Sequence, residues 1–142
     1  MLKPHQKVAL YMEGFLHSDY GKMGLGVLRY LQNPIVGIID TEHAGSNINK
    51  EHPIDRDVPI YKNLEEVVAQ GAEVLLLGIA PSGGKIPEAW LSIINDALSK
   101  GLSVINGLHD TLADRFGERI QSPDQWIWDV RTPPFIPEIA TG

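Results

Sequence analysis

The chain of 142 residues contains no cysteine. Disulfide bridges, thiolate metal sites and cysteine nucleophiles are therefore excluded, and the composition is compatible with a reducing compartment. Long apolar runs are missing too, because stretches such as 74–81 are far shorter than the roughly 20 residues of a membrane-spanning helix. The first residues also lack the apolar core of a secretory signal peptide. These absences predict a cytoplasmic protein without a membrane partner.

Positive charge is scarce as well. Lys and Arg number 12 against 18 Asp and Glu, which gives a formal net charge of −6. A surface for nucleic acid needs clustered basic side chains, so this balance predicts no nucleic-acid partner. A local pocket for one phosphate or carboxylate remains compatible with it. Hydrophobic residues make up 43% of the chain, which is typical of a globular domain.

Apolar runs alternate with helical patterns along the first 130 residues. Strands are predicted at 7–12, 35–40, 58–61, 73–79, 103–106 and 125–131, and helices at 23–32, 64–70, 87–98 and 110–116. Pro59 restricts its strand to an edge or keeps it outside the sheet. The pattern predicts a Rossmann-like, doubly wound α/β fold, with a mostly parallel sheet of about five strands and helices on both faces.

Two segments do not follow this alternation. Residues 41–57 are polar and are predicted to form a long loop. Residues 131–142 contain three prolines, so we interpret them as a linker and residues 1–130 as the folded domain.

Ligands of open parallel sheets bind at the carboxyl ends of the strands, so the glycine-rich loop after the first strand is the leading candidate site. Gly21 and Gly24 allow close approach of a ligand, and Lys22 adds positive charge beside a helix N-terminus. Ser18 supplies a hydroxyl or caps the turn. The loop therefore predicts binding of an anion, although its spacing matches neither the dinucleotide nor the Walker fingerprint. In the alternative interpretation the glycines only permit close packing of helix and sheet.

A second glycine–lysine segment follows the third long strand. Ser82, Gly83, Gly84 and Lys85 form a candidate anion-binding nest, or else a simple bend between strand and helix. Because both segments fall at the same edge of the predicted sheet, together they predict one shared anionic ligand.

Asp40 ends the second strand, where dinucleotide-binding folds place an acid on the ribose hydroxyls. This position supports an alternative function, an NAD(P)-binding oxidoreductase or sensor domain. Aspartates at strand ends are also common turn formers, so the pattern leaves both interpretations open.

The five histidines show no metal-ligand spacing on any one helix face, and the spacing therefore predicts no metal site. His17 and His109 each follow a predicted strand and so fall near the expected cleft. His109 stands beside Asp110 and is the weak candidate for acid–base catalysis. In the alternative, Asp110 caps the next helix.

Several short segments resemble one known family. They are LYMEGF (10–15), SDYGK (18–22), LRY (28–30), GIID (37–40), AG (44–45), GIAPSGG (78–84) and NGLH (106–109). In this order they are similar to the amino-terminal Rossmann-like domain of the D-glutamate N-acetyltransferase-like family, long a domain family of unknown function. The resemblance covers nearly the whole chain.

This resemblance implies that a P-loop NTPase-like domain of the same protein is the partner of the chain. It implies acetyl transfer from acetyl-CoA to a D-amino acid, with acetyl-CoA or ATP and Mg²⁺ as cofactors of the full-length protein and an isolated domain that is inactive. It assigns no catalytic residue. The leading hypothesis is thus an anion-binding domain for a nucleotide, coenzyme A or acidic substrate. The alternatives are the NAD(P)-binding domain and a scaffold that binds nothing and builds a homo-oligomer.

Overall fold

The apolar runs of the sequence form strands that pair side by side in one sheet. The structure, a computed structural model, describes residues 2–18, 21–78, 88–106, 120 and 123–129. The six described strands are β1 (Val8–Tyr11), β2 (Ile35–Ile39), β3 (Ile60–Tyr61), β4 (Val74–Leu77), β5 (Ser103–Asn106) and β6 (Ile127–Asp129). Their order is β3-β2-β1-β4-β5-β6, and every neighbouring pair is parallel. The predicted Rossmann-like α/β fold is confirmed. The sheet has six described strands, against about five predicted, because the short β3 also pairs at its edge.

Helices connect these strands. They are α1 (Lys22–Tyr30), α2 (Ile48–Glu51), α3 (Leu64–Ala69) and α4 (Glu88–Ser99), with a 3₁₀ helix at Thr41–His43. The chain moves one way along the sheet from β1 to β3 and the other way from β4 to β6, so right-handed crossovers put α1 on one face and α3 and α4 on the other. Among the described residues, no helix combines the length and the apolar character that crossing a membrane requires. The helix predicted at 110–116 lies outside the described residues.

Local hydrogen bonds explain where α3 begins and ends. The Asn63 side chain accepts a hydrogen bond of 3.0 Å from the N–H of Glu66, as the side chain of an N-cap residue does. Gly71 then follows the helix with a φ of +93°, a left-handed conformation that glycine adopts without strain. The same kind of ending occurs at Gly101, which follows α4 with a φ of +86°.

The predicted loop at 41–57 is wrong in part, because it contains the 3₁₀ helix and α2. Asn47 caps α2 by accepting a hydrogen bond from the N–H of Asn49, and Ile48 anchors the helix with a fully buried side chain. A helix of one turn has too few residues to show a 3.6-residue period. Its single buried apolar residue therefore carried no signal in the sequence.

The start of α1 lies against the carboxyl ends of β1 and β4. The N–H of Gly24 donates a hydrogen bond of 2.8 Å to the carbonyl oxygen of Gly78, which directly follows β4. A Cβ on Gly24 would come within 2.0 Å of the Met12 sulfur and 2.8 Å of that same carbonyl oxygen. Since Met12 is fully buried, the packing role considered for Gly24 has a definite cause in the structure.

We expect Gly24→Ala to lower the free energy of unfolding by about 1–2 kcal/mol, because an overpacking cost of up to about 3 kcal/mol outweighs the gain of about 1 kcal/mol in helix propensity. Denaturant unfolding followed by circular dichroism measures the change. Arg29→Ala, at an exposed position of the same helix, is the matched control and should change stability little. An unchanged or raised stability of Gly24→Ala would contradict this close packing.

Candidate functional site

The crevice of this sheet lies between the connections that leave β1 and β4, because these neighbouring strands mark the point where the strand order reverses. The two glycine–lysine segments that are predicted to bind an anion follow these two strands. The first is described by the structure. The second, Ser82, Gly83, Gly84 and Lys85, lies outside the described residues, as does His109, and the roles of these five residues stay predictions.

The N-terminus of α1 stands at this crevice. Lys22 is exposed there, and Gly21 occupies the N-cap position without a side-chain cap. Two backbone N–H groups are already engaged, since Gly21 donates to the carbonyl oxygen of Ser18 at 3.0 Å and Gly24 donates to Gly78. The helix dipole and the charge of Lys22 are thus the features that favour an anion.

Asp40, which follows β2, is completely buried, and both of its carboxylate oxygens have protein partners. Its Oδ1 accepts a hydrogen bond of 3.2 Å from the N–H of Gly14, and its Oδ2 lies 2.6 Å from Nδ1 of His43. A buried carboxylate requires such donors, so Asp40 connects the turn after β1 to the 3₁₀ helix after β2. Contact with ribose hydroxyls stays a prediction and would require the Asp40 carboxylate, which has no exposed surface, to become accessible.

The bond to Asp40 also defines the state of His43. A buried carboxylate accepts hydrogen bonds, so the hydrogen is assigned to Nδ1, which leaves the lone pair of Nε2 free in the neutral ring. The Asp40 hydrogen bond raises the pKa of His43 above its ordinary 6.5, against a smaller lowering by partial burial. The negative charges of Asp40, Glu51 and Glu42 act in the same direction as the hydrogen bond.

Three histidines and one glutamate meet beside Asp40, and we call His17, His43, His52 and Glu51 the histidine cluster. Nε2 of His17 lies 2.9 Å from Oε1 of Glu51, and Nε2 of His43 lies 3.7 Å from the same oxygen. The ring of His17 stacks on that of His52, with centroids 4.6 Å apart and planes inclined by 24°. The hydrogen bonds from His17 and from Ser46 lower the pKa of Glu51.

Spacing along the chain did not reveal the histidine cluster, because its members come from separate segments. His17 is in the turn after β1, His43 in the 3₁₀ helix after β2, and Glu51 at the end of α2. The prediction of no metal site considered only histidines on one helix face. The sequence did contain one indication of the cluster, because its members all follow strands whose carboxyl ends share one edge of the sheet.

A separate cavity of about 260 Å³ opens toward α3 and α4. Among the described residues that line it, Glu13, Glu65 and Asp96 are acidic and Lys62 alone is basic. Tyr11 also lines it, and burial together with the charge of Glu13 raises the pKa of this tyrosine to about 12. This excess of carboxylates disfavours an anion. The cavity therefore differs in charge from the N-terminus of α1, which favours one.

Comparison with protein families matches residues 41–133 to a Rossmann-like domain of unknown function, DUF1611_N. The chain is 29% identical over 123 residues to a D-glutamate N-acetyltransferase of Tritonibacter scottomollicae, covering 85% of the chain and 34% of that protein. It is 37% identical over 71 residues to a D-glutamate N-acetyltransferase of a Pseudoalteromonas species, covering 48% of the chain and 21% of that protein.

Among solved structures, the chain is similar to a DUF1611 family protein from Anabaena variabilis. The identity is 40% and the TM-score 0.84, over 92% of this chain and 38% of the other. The chain thus spans between about a fifth and two fifths of the length of these relatives.

We expect Asp40→Asn to return the pKa of His43 toward 6.5, because the amide keeps the shape of the carboxylate and removes its charge. Titration of the imidazole signals by NMR measures this change. Asp55→Asn, at an exposed position, is the matched control. A folded Asp40→Asn variant with an unchanged His43 pKa would show that Asp40 does not stabilise the protonated imidazole of His43.

The same pair predicts the pH dependence of stability in the unmodified chain. Because the folded-state pKa of His43 is raised, its contribution to stability is fully present below about pH 6.5 and is lost as the pH rises through the raised value. Asp40→Asn should weaken this dependence, as measured by thermal unfolding between pH 6 and 9. An equal change of the unfolding midpoint with pH in the unmodified chain and in Asp40→Asn would contradict the pairing of Asp40 with protonated His43.

Proposed function

The chain belongs to the DUF1611_N family of Rossmann-like domains, and from this premise we propose that it is the ligand-binding domain of an enzyme that transfers an acetyl group to D-glutamate or a related D-amino acid. The observation that carries the proposal is the similarity, across 85% of the chain, to a D-glutamate N-acetyltransferase. The proposed donor is acetyl-CoA. The proposed partner is a P-loop NTPase-like domain of the same protein, which the greater length of the relatives can accommodate, and the proposed location is the cytoplasm.

The proposed acetyl transfer requires a site that binds anions. The substrate nitrogen forms a bond to the acetyl carbon, the thioester bond breaks, and the amine loses a proton as the coenzyme leaves as its thiol. Both reactants are anionic, since coenzyme A carries phosphates and D-glutamate carries carboxylates. The dipole of α1 and the exposed charge of Lys22 favour such groups at the carboxyl ends of β1 and β4.

We expect acetyl-CoA to raise the midpoint of thermal unfolding of this chain. A ligand at about 100 times its dissociation constant stabilises a fold by roughly 2.7 kcal/mol, which is readily detected. ATP, NAD, NADP, D-glutamate and phosphate are measured in parallel. A shift with NAD or NADP alone would support the dinucleotide alternative, and no shift with acetyl-CoA or D-glutamate would contradict binding of the transferase substrates by this domain.

Lys22→Ala tests the position of the ligand within the domain. Loss of one charge-assisted contact of about 1.5 kcal/mol weakens binding about tenfold, and the exposed position keeps the fold intact. Lys100→Ala, an exposed lysine just after α4, is the matched control. Equal acetyl-CoA affinity of the two variants, measured by calorimetry, would exclude the α1 terminus as the binding position.

A further inference from the structure

We propose that His17, His43 and Glu51 of the histidine cluster bind a divalent transition-metal ion of the zinc class. Each residue offers one ligand atom, and the three atoms lie within 4.8 Å of one another. Two imidazole nitrogens and one carboxylate oxygen are a common ligand set for catalytic zinc, with a fourth position left to water or substrate.

The distances are close to those of a bound ion. Ligand atoms around a tetrahedral zinc, at bond lengths of about 2.0–2.1 Å, are separated by roughly 3.3–3.4 Å. Oε1 of Glu51 lies 2.9 Å from Nε2 of His17 and 3.7 Å from Nε2 of His43. These two separations bracket the required value. The histidine ligand nitrogens lie within 4.8 Å of each other, so binding of an ion requires them to approach by up to about 1.4 Å, which the half-exposed side chain of His17 allows.

Neighbouring groups already hold the ligands in the orientation that a metal needs. Asp40 is fully buried and binds Nδ1 of His43, which directs Nε2 toward Glu51. A histidine ligand with a carboxylate on its second nitrogen is the usual arrangement around protein-bound zinc. The Ser46 hydroxyl donates to Oε2 of Glu51 at 2.7 Å and leaves Oε1 facing both histidines.

His52 supports this arrangement without itself being required as a ligand. Its Nε2 lies 2.8 Å from the carbonyl oxygen of Leu16, so this nitrogen carries the hydrogen and donates it. Its ring stacks on His17 and thereby limits rotation of the exposed imidazole.

The negative charges around the histidine cluster and the exposure of His17 both favour a cation that enters from solvent and exchanges. Asp40, Glu42 and Glu51 act together on His43 and favour positive charge at this place. The side chain of His17 is 46% exposed, against 25% for His43 and 21% for Glu51, so the cluster opens to solvent on the His17 side. An ion there has an open coordination position and can polarise an oxygen of a bound molecule. The proposal does not depend on the acetyl transfer proposed above.

Zinc binding to the chelator-treated chain, followed by isothermal titration calorimetry, tests the site. We expect one ion per chain, and cobalt in its place should give the visible absorption bands of a tetrahedral site. His17→Ala and His43→Ala should each weaken binding at least 100-fold. His5→Ala, which removes an exposed histidine outside the cluster, is the matched control and should leave the affinity unchanged.

Asp40→Asn and Glu51→Gln complete the experiment. Asp40→Asn keeps all three ligands and should weaken zinc binding 10–100-fold through the orientation of His43. Glu51→Gln removes the charged ligand with little change of shape, and circular dichroism verifies that both variants fold. Absence of a one-to-one complex with the unmodified chain would overturn the proposal. So would zinc affinities of His17→Ala and Glu51→Gln equal to that of His5→Ala, because the ion would then be bound adventitiously elsewhere.

Discussion

The buried carboxylate of Asp40 is the constraint on which the arrangement of the strand ends depends. It has no access to solvent, so its stability requires the hydrogen bonds that it receives from Gly14 and His43. These two partners belong to the turn after β1 and to the 3₁₀ helix after β2. One aspartate therefore holds two neighbouring connections together, and the histidine cluster forms where they meet. The same bond selects the hydrogen position on His43 and so determines which nitrogen faces Glu51.

A second close contact shapes the other side of the crevice. The absence of a side chain at Gly24 lets α1 approach the residue after β4 closely enough for a backbone hydrogen bond to Gly78. The helix N-terminus and Lys22 are consequently carried to the carboxyl ends of the central strands. The acidic cavity lined by Glu13 and Asp96 is separate from this position. The described residues thus form two regions of opposite charge character, the N-terminus of α1 with Lys22 and the acidic cavity.

Most of the fold followed from local patterns. The alternation of apolar runs with helical segments was sufficient for the Rossmann-like class, and local residues set the two ends of α3, the Asn63 cap and the glycine ending at Gly71. The pattern failed at 41–57, where α2 is one turn long and is held by its Asn47 cap and the burial of Ile48. The site was less predictable. The start of α1 could be placed from its glycines, whereas the partners of Asp40 and the meeting of His17 with Glu51 could not.

By itself, the sequence determined the six strands and three of the helices that the structure describes, and that the carboxyl ends of the strands carry polar, glycine-rich connections. Those properties depend on neighbours within a few residues, through caps, turns and the periodicity of burial. Only the tertiary structure decided that His17 and Glu51, 34 residues apart in the chain, lie within 2.9 Å of each other. That contact depends on the pairing of β1 with β2 in the sheet. It also depends on the buried carboxylate of Asp40, which accepts hydrogen bonds from the connections that follow both strands. Long-range pairing of this kind leaves no periodic trace in the order of residues.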